Sequence, residues 1–308
     1  MTYKVESCWA GRTLKDYLFS GLSLSRAQVI VLKKKEQGML LNGERVTVRA
    51  LLMEGDLLEL ELEDEQSPED LVPYEYPLQI LYEDENLILI NKPQGMPTHP
   101  SHGHFEDTLA NALAHYFAAR GEVFTPRFIN RLDRDTTGVV LVARHALSAA
   151  ALSGAMARGE IKKSYLALAV GEVREPQVID ANIRRAQESI ILREVCPHGE
   201  GDRAVTEVIP LATGAGLSLL RLIPHTGRTH QLRVHLASVG HSLLGDGLYG
   251  CESPLISRHA LHAAHLCFTH PVSGAPLSFT APLPPDMRGV IEKMGGNVLE
   301  MVEKIDAR

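Results

Sequence analysis

Two stretches of the chain concentrate side chains capable of acid-base, nucleophilic or anion chemistry. The first is Phe128-Ile129-Asn130-Arg131-Leu132-Asp133-Arg134-Asp135-Thr136-Thr137-Gly138. Two carboxylates and two guanidiniums fall within five residues there, just before the apolar run Val139 to Ala143. Loops at strand ends are where sites are commonly built. Taken alone, the composition reads first as a surface loop whose ion pairs satisfy one another. The second stretch is His225-Thr226-Gly227-Arg228-Thr229-His230-Gln231-Leu232-Arg233-Val234-His235-Leu236. Gly227 reads as a hinge, and a helix is expected over 229–239, ending at Gly240. Leu232, Leu236 and Val239 at i, i+4 and i+7 should face a core. Arg233 lies beside that face, where its head can reach a buried carboxylate. The donors crowding the helix start suit an anion. His225, His230 and His235 are five apart, which spreads them around a helix, so no zinc site is expected.

Other chemistries lack their signatures. There is no Gly-x-x-x-x-Gly-Lys-Ser/Thr phosphate loop and no Gly-x-Ser-x-Gly elbow. Nothing indicates ATP, a nicotinamide or a flavin, so no cofactor is expected. Cys8, Cys196, Cys251 and Cys267 form no Cys-x-x-Cys pair, which reads as reduced thiols in a cytoplasmic protein. No run approaches the ~20 apolar residues of a membrane span, and Met1 to Glu6 lack the apolar core of a signal peptide.

The elements that must position these stretches follow from periodicity. With 308 residues, 44% of them hydrophobic, the chain can hold one large domain, or one large and one small. Leu14, Leu18 and Leu22 suit one helix face. Ser23-Leu24-Ser25-Arg26 reads as the cap of a second helix running to Lys33-Lys34-Lys35, and Gly38 stops it. Strands are expected at 39–41, after the turn Asn42-Gly43 at 46–48, and at 57–62. Residues 63–77 are acidic and carry Pro68, Pro73 and Pro77, a linker composition. Beyond it come strands at 78–82 and 86–91, a helix capped at Asp107-Thr108, a strand after Gly138, and an Ala-rich helix at 147–158. A strand at 162–170 puts Tyr165, Ala167 and Ala169 on one face. Further strands are expected at 204–211, 217–223, 264–269 and 276–280, then a helix over 286–302. The result is an α+β fold with a mostly antiparallel sheet. The formal charge is −7, but it is unevenly spread. Residues 1–50 hold nine Lys/Arg against four Asp/Glu, and residues 51–90 hold thirteen Asp/Glu and no Lys/Arg. The acidic stretch reads as solvated linker and surface, and contacts to any nucleic acid would depend on local potential rather than the total.

Residues 12–62 resemble the S-four-type RNA-binding module, in which Arg12, Lys15, Arg26, Lys33 and Lys34 would contact phosphates. Further on, Arg-Leu-Asp-x-x-Thr-Thr-Gly, followed about 90 residues later by His-Thr-Gly-Arg-Thr-His-Gln-Leu-Arg-Val-His, resembles the RluA-type pseudouridine synthases. Asn91-Lys92-Pro93-Gln94-Gly95-Met96-Pro97-Thr98-His99, Lys162-Lys163-Ser164-Tyr165 and Leu261-His262-Ala263 extend the resemblance over roughly 78–285. It implies a pseudouridine synthase domain over 78–308 of mostly antiparallel sheet, a linker at 66–77, and a small α/β RNA-binding module at 1–65. It further implies that a flipped uridine meets Asp133 as the catalytic carboxylate, acting as nucleophile or as base. Arg233 would pair with Asp133. Tyr165 would stack on the base and assist proton removal at carbon 5. Leu232 would form an apolar wall, Arg131 would fill the space the uridine leaves, and Arg228 would contact substrate. One departure is Asn130, where the family usually has His; Asn hydrogen-bonds but does not titrate. Thr137 stands where many members have Ser.

Two rivals follow from the same residues. A non-catalytic RNA-binding or ribosome-assembly protein would not need Asp133. A metal hydrolase would use His99, His102, His104 or His262 and His265. RNA is the expected partner, ribosomal RNA ahead of transfer RNA, and the chain is expected to act as a monomer, with no membrane and no metal.

Overall fold

The N-terminal helices form where the sequence offers caps. The Thr13 hydroxyl accepts from the Asp16 N–H and the Asp16 carboxylate reaches back to Thr13, opening α1 (Leu14–Asp16), which runs on as a π turn, Tyr17–Gly21. Ser25 and Gln28 make the same reciprocal cap for α2 (Arg26–Lys34). Leu14, Leu18 and Leu22 are buried together with Val29 and Leu32 against a four-stranded antiparallel sheet. That sheet runs in the order β1 (Thr2–Lys4), β4 (Leu57–Leu60), β2 (Met39–Leu41), β3 (Glu44–Arg45). The strand expected at 46–48 is absent. The carbonyls of Val48 and Ala50 turn instead to the unpaired N–H groups of Lys15 and Leu14 at the start of α1.

The computed structural model describes residues 1–61, 71–101, 103–187 and 189–295. Most of the expected acidic linker, His102 and the end of the expected last helix lie outside these residues. Residues 72–77 belong to the second body rather than to a spacer. Asn111 donates to the Val72 carbonyl at 2.8 Å, the Tyr74 N–H donates to the Asn111 carbonyl at 3.1 Å, and Tyr74 and Tyr76 pack on the main core.

That body is built on a ten-stranded sheet. In chain order its elements are β5 (Gln79–Glu83), β6 (Leu87–Lys92), α3 (Leu109–Ala118), β7 (Arg127–Phe128), β8 (Thr137–Ala143), α4 (Ala146–Ala157) and β9 (Lys162–Val170). There follow β10 (Gln177–Asp180), the separate hairpin β11 (Asn182–Arg185) and β12 (Arg193–Cys196), β13 (Val205–Gly214), β14 (Leu217–Pro224), α5 (Gln231–Ser238), β15 (Leu261–Thr269), β16 (Pro276–Thr280) and α6 (Pro285–Lys293). The sheet order is β10-β13-β14-β9-β15-β8-β6-β5, with β16 on β15 and β7 on β8. Among the described residues every pairing in it is antiparallel except β15 with β8. At that parallel crossing Gly138 faces Ala263 with φ +113°, and a Cβ on it would sit 2.2 Å from the Ala263 carbonyl oxygen. Only glycine allows the close approach.

Alternation along β9 covers both faces of the sheet. Tyr165, Ala167 and Ala169 join the core under α3 and α5, while Leu166 and Leu168 join a second core with Met287, Val290 and Ile291 of α6. The N-terminal body docks on α4. Leu147 belongs to its core, Ala150 packs against that core, the Gln28 amide donates to the Ala146 carbonyl, and Arg158 donates to the Ser23 hydroxyl at 3.0 Å.

Candidate functional site

The loop between β7 and β8 carries Asp133, and five separate ties fix its path. Asn130 acts as a surrogate strand residue: its amide donates to the Val139 carbonyl at 3.0 Å and its oxygen accepts from the Leu141 N–H at 2.8 Å. The Thr98 hydroxyl donates to the Leu132 carbonyl at 2.9 Å. The Lys92 ammonium, wholly buried, donates to the carbonyls of Pro93, Met96 and Arg134 at 2.7, 2.7 and 2.8 Å. Burial pushes this lysine down to about 7, against the pull of Asp135 and Asp133. Arg258 donates to the Asp135 carbonyl, and the Thr136 hydroxyl shares a 2.8 Å hydrogen bond with His259. Lys92 and Thr98, in the stretch 91–99 singled out from the sequence, are therefore clamps on the loop. Thr137 is held to β15 by His262, whose Nε2 donates to the Ala281 carbonyl at 3.3 Å, so that Nδ1 accepts from the Thr137 hydroxyl at 2.8 Å.

The expected loop of satisfied ion pairs describes half of this segment. Arg134 pairs with Asp135 at 3.0 Å. Burial raises the Asp135 carboxyl, but its hydrogen bond and charge contact with Arg134 bring it below the usual carboxylate range. Asp133 turns the other way, into a cleft of about 260 Å³ lined by Arg131, Tyr165, Arg228, His230, Leu232 and Arg233 among others. Six of the eleven residues singled out from the sequence for catalysis or RNA contact (Arg131, Asp133, Tyr165, Arg228, Leu232 and Arg233) thus meet in one place.

The α5 segment supplies the cationic side. Gln231 anchors it, donating from its amide to the Val205 carbonyl and the Thr206 hydroxyl, both at 3.0 Å. His235 reaches the same Thr206 hydroxyl at 3.0 Å. The helix begins at Gln231 rather than 229, because His230 takes the left-handed conformation, φ 56°. Val239, expected in the core, is exposed, since the helix stops at Ser238. The helix start is also less open to an anion than expected. The Gln231 N–H donates to the Arg228 carbonyl, and the Arg228 N–H donates to the Gln231 side chain at 3.0 Å.

Arg233 is buried and lies 3.6 Å from Asp133 (Nη1 to Oδ2), so the expected pair is present. Its tight partner is another residue that sequence reasoning missed. Asp246 takes Nε and Nη2 at 2.7 Å each. Burial lowers the guanidinium, but Asp246 and then Asp133 outweigh it and raise it. His230 was also missed as a neighbour of Asp133: its Nε2 lies 4.0 Å from Asp133 Oδ1. Burial pushes His230 down, so it is neutral at neutral pH. Tyr165 is buried at the base of the cleft. Desolvation, then the Asp133 charge, drive its phenol far up. It therefore stays protonated at neutral pH. The N-terminal cations Arg12, Lys15, Arg26, Lys33 and Lys34 are all exposed and lie outside this cleft. Lys15, Arg26 and Lys33 share a separate depression with Phe19 and Val29.

Among the described residues no group of three or more His, Cys, Asp or Glu could hold a metal ion. His99 packs edge-on to Phe128, His104 bonds Asp107 and His265 bonds Ser278. No described helix is long and apolar enough to cross a membrane.

Comparison with known proteins places this geometry. The family model of RNA pseudouridylate synthase matches residues 86–238. An uncharacterized RNA pseudouridine synthase, YjbO of Bacillus subtilis (strain 168), is 39% identical over 281 residues, covering 91% of this chain and 98% of the relative. The ribosomal large subunit pseudouridine synthase D of Escherichia coli (strain K12) is 35% identical over 288 residues, covering 89% and 83%. Among solved structures, human RNA pseudouridylate synthase domain containing 1 aligns with a TM-score of 0.57 at 26% identity, covering 68% of this chain and 86% of that one. The chain belongs to the RluA-type RNA pseudouridine synthases, isomerases that convert uridine in RNA to pseudouridine.

Proposed function

We propose that Asp133 is the carboxylate that carries the isomerisation and that the substrate is ribosomal RNA. The reaction breaks the bond between uracil N1 and ribose C1′, turns the base, and forms a bond from C5 to C1′; the C5 proton leaves and N1 gains one. No redox change is involved. The observation that carries the assignment is the unfilled state of Asp133. Asp135 is paired with Arg134, Asp246 with Arg233 and Asp286 with Arg258, each through hydrogen bonds of 3.0 Å or less. Asp133 faces its cations only at 3.6 and 4.0 Å, and among the described residues its side chain accepts no hydrogen bond. Its oxygens are therefore available to a sugar carbon or proton in the cleft. Arg233 supplies charge at a fixed distance. Tyr165 offers a ring to the base and Leu232 an apolar wall. Arg131, exposed at the rim, fills the place of the flipped nucleotide, and Arg228 contacts the RNA backbone.

Residues 1–65 serve as the RNA-binding module, with Arg12, Lys15, Arg26, Lys33 and Lys34 as phosphate contacts. The ribosomal assignment is supported by the relatives whose names specify the ribosomal large subunit. Asp133→Asn and Asp133→Ala abolish pseudouridine formation while RNA binding survives; normal turnover in either variant refutes the role. Mapping pseudouridines in ribosomal and transfer RNA from cells with and without the gene tests the substrate. Sites lost only from transfer RNA refute the ribosomal reading.

A further inference from the structure

We propose that the turn Gly245–Tyr249 is a positioning device for the reaction, in which Asp246 sets Arg233 and Tyr249 sets His230 against Asp133. The inference rests on the reading that Asp133 is the reacting carboxylate. A guanidinium and a carboxylate left to themselves form a two-pronged pair, and such a pair would occupy the oxygens the reaction needs. Asp246 prevents this. It is 1% exposed and takes the Nε and Nη2 edge of Arg233, leaving Nη1 for Asp133. Asp246 cannot follow the arginine, because its Oδ1 also accepts from the N–H groups of Leu248 and Tyr249 at 3.0 and 3.2 Å. Gly245 lets the turn close: at φ +74°, a Cβ there would stand 2.3 Å from the Arg258 carbonyl oxygen.

Tyr249 completes the frame. Its ring lies 5.0 Å from the Arg233 guanidinium carbon. Its hydroxyl accepts from the Arg193 N–H at 2.9 Å and lies 2.8 Å from His230 Nδ1. The hydroxyl proton goes to Nδ1, which leaves the imidazole proton on Nε2, the nitrogen facing Asp133. The other groups whose charge or dipole acts with Asp133 are Tyr165 from β9, Lys92 from β6 and His259 before β15. Each of these is held by other elements, so the turn governs Arg233 and His230 specifically.

The test compares Asp246→Asn, Tyr249→Phe and Asp133→Asn in the full chain, with an RNA transcript that the wild-type protein modifies. Turnover is measured as kcat per RNA-binding site, so that misfolded protein is not counted, alongside KM. Asp246→Asn keeps the shape but turns an amide toward Arg233, releasing the guanidinium onto Asp133. The expected result is a kcat about 10- to 100-fold lower, the scale of a 1 Å misplacement at a reacting group, with KM within about twofold. Tyr249→Phe retains the ring over Arg233 and is expected to lower kcat by roughly 3- to 10-fold by freeing His230. Wild-type kcat in Asp246→Asn overturns the inference, as does a loss confined to KM. If Asp246→Asn fails to fold, Tyr249→Phe decides: a reduced kcat with unchanged KM supports the inference, and wild-type kcat overturns it. Asp133→Asn separates the two readings. If it is inactive while the other two behave as wild type, only this inference falls; if it is active, the assignment of Asp133 falls first.

Discussion

Asn130 makes a quantitative test of how the loop carrying Asp133 is held. Its side chain fills two hydrogen-bonding slots on β8, the Val139 carbonyl and the Leu141 N–H, and both residues are buried. Asn130→Ala empties both slots beside the cleft that Asn130 lines. An unmet buried backbone group costs about 1–3 kcal/mol; with water able to reach the slots from the cleft, the pair should lose about 2–4 kcal/mol of stability rather than the full sum. For a domain of this size that corresponds to roughly 4–10 °C in Tm. Asp133 is three residues further along, and displacing it by about 1 Å can lower kcat up to 100-fold. Asn130→Asp is the informative companion. It keeps an acceptor for the Leu141 N–H but sets a second carboxylate oxygen against the Val139 carbonyl, so it should be no more stable than the alanine variant. Thermal unfolding and single-turnover assays on the same preparations read both effects. A Tm within 1 °C of wild type together with unchanged kcat in Asn130→Ala would show that the loop does not depend on this clamp.

Acid stability should follow His259 and His262, which burial pushes down to about 4 in the fold. Between that value and the ordinary 6.5 the unfolded chain binds more protons, so their contribution is complete above about pH 6.5 and is lost as pH falls towards 4. Each is worth up to about 3 kcal/mol; a denaturant midpoint that stays flat from pH 7 to pH 4.5 refutes the buried neutral state. RNA affinity should fall steeply with salt: five phosphate contacts give a slope of log K against log salt of about −4, and Lys33→Ala should reduce it by roughly 1. Binding that hardly weakens on going from low to moderate salt removes the phosphate-contact role of the N-terminal cations.

The candidate site was legible because the two long motifs carry most of its residues contiguously, Asp133 in one and Arg228, Leu232 and Arg233 in the other. Asp133, Arg233, Tyr165 and Leu232 line one cleft, the convergence that the resemblance implied. Asp246 stayed hidden for a physical reason. It stands between Gly245 and Gly247, where an acidic residue reads as ordinary turn chemistry, and its partner is 13 residues away across a loop. The left-handed cap at His230 was equally unreadable, since only about a few per cent of non-glycine residues adopt that conformation and nothing local marks this one. Strands β1, β10, β11 and β12 are three or four residues long, too short for alternation to register.

The net charge misled in an instructive way. Of the thirteen acidic residues between 51 and 90, Glu83 and Asp84 are structural rather than solvated. Glu83 pairs with Arg120 at 2.7 Å and Arg144 at 3.5 Å. Asp84 accepts from the N–H groups of Asn86 and Leu87 and meets His270 at 3.0 Å, tying the β5–β6 turn to the β15–β16 hairpin. Burial raises the Asp84 carboxyl, yet these bonds bring it below its ordinary value. Charges neutralised within the fold contribute little to the field a polyanion meets. Lys15, Arg26, Lys33 and Lys34 stand exposed, with no acidic partner at ion-pair distance among the described residues. An acidic chain can therefore present a cationic face to RNA, because its acidic and basic groups differ in where the fold has already paired them.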